Sequence, residues 1–106
     1  MKIGYINKRM GKDCGLARKA WGDKIGGKVL LRLAELAAFE NLSQVPHVPP
    51  QRCHMLEDDN LKFAVDLTRN YRLTFYPAEP YEIKEGVGLV KESVKAIIIE
   101  KVDDYH

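Results

Sequence analysis

The chain has 106 residues, 45% of them hydrophobic and 30% charged, which is enough for one modest core and leaves no room for a second; residues 1–106 are read as a single domain. No run of about 18 apolar residues exists to span a bilayer, and the opening Met1-Lys2-Ile3-Gly4-Tyr5 lacks the apolar stretch of a signal peptide, so a cytoplasmic protein with no membrane partner is expected. The net charge of +2 hides an asymmetry: residues 1–54 hold ten Lys/Arg against four Asp/Glu, and residues 55–106 hold seven against eleven, so any attraction to a phosphate backbone belongs to the first half.

Residues 1–6 read as a short strand, and the polar, basic stretch 7–15 has room for a short helix before the break at Gly15. From Leu16 the apolar residues Ala17, Ala20, Trp21, Ile25, Val29, Leu30, Leu33, Leu36 and Ala37 recur at three- and four-residue spacing, which predicts a helix to about Asn41 with Arg18, Lys19, Lys24, Lys28 and Arg32 mostly off its apolar face. Gly22, Gly26 and Gly27 weaken a continuous helix and place a split near Trp21-Gly22 or a loosening around residue 26. Three prolines within residues 45–50 make that segment an extended connector.

Beyond it the period changes to two. Residues 51–57 read as a strand, 57–60 as a tight turn, and 61–67 as a second strand with Phe63, Val65 and Leu67 on one face; after a turn at 68–70, residues 71–76 alternate Tyr71, Leu73 and Phe75 against Arg72, Thr74 and Tyr76, an antiparallel meander. Residues 81–93 are rich in charge and glycine, as expected for a surface loop. The run 94–102, continuously apolar at Ile97-Ile98-Ile99, has the character of a strand buried on both faces at the centre of the sheet. The fold class is therefore α+β: one or two N-terminal helices packed on a small, mostly antiparallel sheet.

Two histidines, a phenol and a carboxylate stand where such a sheet can gather them: His54, and the closing Asp104-Tyr105-His106. These groups suit cleavage of RNA without a metal or cofactor, because the ribose 2′-OH is the substrate's own nucleophile and the protein need supply only a base, an acid and a donor for the phosphorane oxygens. His54 and His106 can serve as base and acid, Tyr105 can donate or relay a proton, Asp104 can orient an imidazole, and Arg72 offers a guanidinium. Arg52, two residues before His54, is expected on the same strand face for phosphate binding. Each has a plainer role: a histidine at a strand edge, a tyrosine packed on the sheet, and an Arg72 that is only the ion-pair partner of Asp66 or Asp104. The two cysteines, Cys14 and Cys53, have no C-x-x-C spacing, so a zinc site is not expected and free thiols are.

Arg52-x-His54-x-Leu56, then Asn70-Tyr71-Arg72-Leu73-x-Phe75, then Asp104-Tyr105-His106, in this order, resembles the HigB-like killer toxins of bacterial type II toxin-antitoxin systems, in the RelE/ParE superfamily. Arg32-Leu33-Ala34-Glu35-Leu36 and Asn41-Leu42 extend the likeness over most of the chain. The resemblance implies a curved antiparallel sheet backed by helices, and a ribosome-dependent mRNA endoribonuclease neutralised by a cognate helix-turn-helix antitoxin of the HigA type. It implies catalytic positions at His54, Asp104, Tyr105 and His106, with Arg72 on the phosphate, and ribosomal RNA contacts from Arg18, Lys19 and Lys28. The departures are an acidic turn Glu57-Asp58-Asp59-Asn60 where a basic, glycine-containing one is usual, Tyr71 where tryptophan is common, and a long segment from Pro77 to Ser93. Two other functions stay open: a non-nuclease toxin that poisons DNA gyrase, and an inactive module kept for antitoxin binding.

Overall fold

The structure, a computed structural model, describes residues 1–56 and 61–105. In chain order the elements are β1 (Lys2–Tyr5), α1 (Lys8–Gly15), α2 (Ala17–Ala38), β2 (His54–Met55), β3 (Phe63–Asp66), β4 (Tyr71–Pro77), β5 (Glu82–Lys84), β6 (Gly88–Val90) and β7 (Ala96–Asp104). The expected turn at 57–60 and His106 lie outside the described residues. The domain is α+β. Its main sheet has the order β1-β7-β4-β3-β2, with β1 parallel to β7 and the other pairs antiparallel; β5 and β6 form a separate hairpin.

Local chemistry explains the helical layer. The Asn7 carboxamide accepts the Met10 N–H at 2.8 Å and caps α1, satisfying one of the donors a helix start leaves unpaired. Gly22 sits at φ +84° and breaks α2 into two runs, a conformation that costs glycine nothing. The second run then folds back so closely that a Cβ on Gly26 would collide with the Ala17 carbonyl. The helix stops at Ala38 rather than Asn41, because Phe39 is already extended.

Met10, Cys14, Ala17, Val29 and Leu36 from the helices meet Phe63, Val65, Leu73, Phe75, Ile97 and Ile99 from one face of the sheet, forming a single core. Arg32 belongs to this layer, contrary to the helical-wheel expectation: it is 3% exposed, and donates from Nε to the Asp66 carbonyl (2.7 Å), from Nη2 to the Pro50 carbonyl (3.3 Å) and from Nη1 to Glu35 (3.0 Å). A buried guanidinium is tolerated here because carbonyls from the connector and from β3 match its donors.

Three strand expectations change. The run 51–57 contains only the two-residue strand β2, since Arg52 turns to φ +44° and gives its N–H to the Val48 carbonyl (3.0 Å). The segment 81–93 is not irregular throughout; the β5–β6 hairpin and a 3-10 turn, Lys91–Ser93, occupy most of it. β7 is central, between β1 and β4, and it extends to Asp104, but only Ile97 and Ile99 are fully buried while Ile98 on the other face is partly exposed.

Candidate active site

The sheet face away from the helices is polar, and the pairing register states which residues share it. Asp66, Arg72 and Asp103 lie across β3, β4 and β7 in one row. His54, Ala64, Thr74 and Lys101 form the next. His54 and Arg72 therefore stand on one face in adjacent rows, two strand spacings across the sheet and two residues along it, a separation of roughly 12 Å.

A β-bulge decides which C-terminal residues join them. The partner of Thr74 is Lys101 and that of Phe75 is Ile99, leaving Glu100 as the additional residue in β7. Its carboxylate accepts from Thr74 Oγ1 (2.7 Å) and from Tyr76 Oη (3.4 Å), and pairs with Lys62 Nζ at 3.2 Å. A bulge shifts the alternation by one residue beyond it. Asp103 and Tyr105 thus come to the polar face, while Asp104, opposite Tyr71, falls on the other.

The result is a connected set. Asp66 accepts both Arg52 Nε (2.8 Å) and Nη2 (3.0 Å), the two-pronged geometry in which a guanidinium and a carboxylate fit best. Arg72 gives Nε and Nη2 to Asp103 Oδ2, each at 2.9 Å. Tyr105 links the two pairs: its ring lies 4.5 Å from the Arg72 guanidinium carbon, and its hydroxyl is 3.4 Å from Asp66 and from Arg52 Nη2. The Tyr105 N–H is fixed to the Asn70 carbonyl at 3.1 Å. The hydrogen bonds that Arg52 donates to Asp66, opposed by partial burial and aided by Tyr105, raise the Arg52 pKa further above its ordinary value.

Arg52 contributes by a different geometry from the one its spacing predicts. Outside β2 and with positive φ, its side chain reaches Asp66 rather than standing beside His54 as a strand neighbour. Its main-chain carbonyl is what meets the histidine, 2.8 Å from His54 Nδ1. A carbonyl only accepts, so Nδ1 carries the proton and Nε2 of the neutral ring keeps its lone pair.

Arg18, Lys19 and Lys28 are exposed on α2, in the helical layer, so the structure does not bring them to His54 and Arg72. Lys19 lines a cleft of about 390 Å³ with Arg9, Lys12, Asp13 and Leu16, where Asp13 is paired with Arg9 at 3.3 Å. Arg9 and Lys12 were readable as part of the basic first half but carried no spacing signal. Asp103 was missed for a definite reason: unbroken alternation from Ile97 puts Asp104 outward, and the signal against it is the polar pair Glu100-Lys101 between Ile99 and Val102.

Both cysteines are buried, and burial raises each thiol to about 11, aided at Cys14 by Asp13 and opposed at Cys53 by Lys91. Among the described residues no group of three or more His, Cys, Asp or Glu side chains is arranged to hold a metal ion, and no helix is long and apolar enough to cross a membrane. Comparison with protein-family models, with curated proteins and with solved structures gives no match.

Proposed function

We propose that the chain is a killer toxin of the HigB-like kind with a curved RelE/ParE-like sheet, acting in the cytoplasm as a metal-independent, ribosome-dependent mRNA endoribonuclease. One observation carries the reading. On the polar sheet face, His54 Nδ1 lies 2.8 Å from the Arg52 carbonyl, a contact that favours the proton on Nδ1 and the lone pair on Nε2, in the row next to a guanidinium stacked on a tyrosine.

In the proposed reaction His54 Nε2 takes the 2′-OH proton as the oxygen attacks the adjacent phosphate. The N–H groups of Arg72 not engaged by Asp103 stabilise the charge on the phosphorane oxygens, and Tyr105 or His106 protonates the leaving 5′-oxygen. Asp103 takes the place given to Asp104 beside the arginine. The exposed cations Arg18, Lys19 and Lys28, joined by Arg9 and Lys12, are assigned to ribosomal RNA, where phosphate contacts orient the protein without selecting sequence. A helix-turn-helix antitoxin is the proposed inhibitor.

Induced expression with mapping of RNA 5′ ends tests this. The expected result is growth arrest with cuts inside translated codons, suppressed when ribosomes are kept off the message. Intact messages accompanied by DNA breaks would point instead to a gyrase poison, and intact messages without breaks to an inactive antitoxin-binding module.

A further inference from the structure

Asp66 has more partners than a surface aspartate needs. Its carboxylate holds Arg52 by two hydrogen bonds, its carbonyl accepts from the buried Arg32 at 2.7 Å, and its N–H donates to the Gln51 carbonyl at 2.8 Å. Arg32 also reaches the Pro50 carbonyl, and the Cys53 N–H donates to the Pro46 carbonyl at 2.9 Å. The connector is thus anchored on both sides of Arg52.

Arg52 itself sits at φ +44°, the one non-glycine residue with positive φ among the described residues. A side chain with a Cβ leaves this region unless contacts hold it there. The holding contacts of its side chain are those to Asp66 and the longer one to Tyr105. Rotation about φ moves the carbonyl of the same residue, and that carbonyl is the 2.8 Å acceptor of His54 Nδ1–H. The ring of His54 is therefore tied to the Asp66 carboxylate through the backbone conformation of Arg52.

We infer that Asp66 and Arg52 are positioning residues for His54: their ion pair holds the Arg52 carbonyl against Nδ1, which fixes the ring as the Nδ1–H tautomer and leaves the lone pair on Nε2. Free imidazole in water does not make that choice; the clamp does. The catalytic meaning rests on the nuclease reading, in which Nε2 is the base. The tautomer itself does not, since it is set before any RNA binds.

The test is nitrogen NMR of the ¹⁵N-histidine-labelled protein at about pH 8.5, above the ordinary imidazole range, with His54→Gln used to assign the His54 signals. In the wild-type chain Nδ1 should give the protonated-nitrogen signature and Nε2 the bare one. In Asp66→Asn the ratio of Nδ1–H to Nε2–H at His54 should fall about tenfold, the scale of losing a well-aligned hydrogen bond. Arg52→Gln should do the same, and carries the measurement if Asp66→Asn does not fold. A wild-type His54 protonated mainly on Nε2, or an unchanged ratio in either folded variant, would overturn the inference. Messages left intact by a wild-type protein that shows the expected tautomer and its dependence on Asp66 would remove the nuclease reading alone.

Discussion

Arg32 illustrates how one side chain ties the helical layer to the site. Its three donors hold α2, the connector at Pro50 and the end of β3 at Asp66, and it is almost fully buried. Replacing it with alanine leaves the Asp66 and Pro50 carbonyls without this donor and opens space beside the core. Arg32→Ala should lower unfolding stability by roughly 3 kcal/mol, measured by urea denaturation, with a shifted midpoint at little change in slope. A loss under about 0.5 kcal/mol would place Arg32 with ordinary surface residues. This residue was the least legible in the sequence, because an arginine between apolar positions reads as a solvated one. What buries it, carbonyls contributed by a proline-rich connector and a strand end, is a tertiary arrangement with no local signature.

At the level of elements, the helix and the β3-β4 meander follow closely from periodicity, since hydrophobic spacing directly reflects which face is covered. The prolines marked the connector, but residues 47–51 bend and turn rather than run extended, and the Arg52 N–H closes onto the Val48 carbonyl. The split in α2 was legible too, as Gly22 adopts a conformation open to glycine and Gly26 lies against a carbonyl. Gly26→Ala should therefore cost about 1–3 kcal/mol despite alanine's higher helix propensity, because crowding against Ala17 outweighs a propensity gain of about 1 kcal/mol. Thermal unfolding reads the difference, and a stabilised Gly26→Ala protein would contradict the close approach. Two elements were hidden. The β5–β6 hairpin has the composition of a loop, and the β7 bulge depends on pairing with β4. The bulge determines that Asp103, not Asp104, pairs with Arg72, so half of the candidate site depended on a register that alternation alone does not encode.

Across the whole molecule the charge asymmetry becomes spatial. The basic residues of the first half lie largely on the helical layer, whereas the arginines of the polar sheet face are matched by Asp66 and Asp103. This separates a surface suited to phosphate attraction from a face suited to chemistry.

Alkaline stability follows from the two thiols. Their folded pKa is raised from 9.0 to about 11, so between these values the unfolded chain loses protons that the folded chain keeps. Stability should then fall as pH rises from about 9 to about 11, by at most about 1.4 kcal/mol per pH unit for each thiol. Denaturation at several pH values should show a flatter dependence in the Cys14→Ala, Cys53→Ala protein; parallel curves for the two proteins would contradict the assignment.

The central claim, that the polar sheet face cuts RNA through His54, is tested most directly by cleavage of a defined message on purified ribosomes, wild type against His54→Ala of verified fold. The account predicts cuts by the wild-type protein and a rate about 10²- to 10⁴-fold lower in His54→Ala, the range for loss of a general base. Equal cleavage by the two proteins, or none by the wild type, would contradict it.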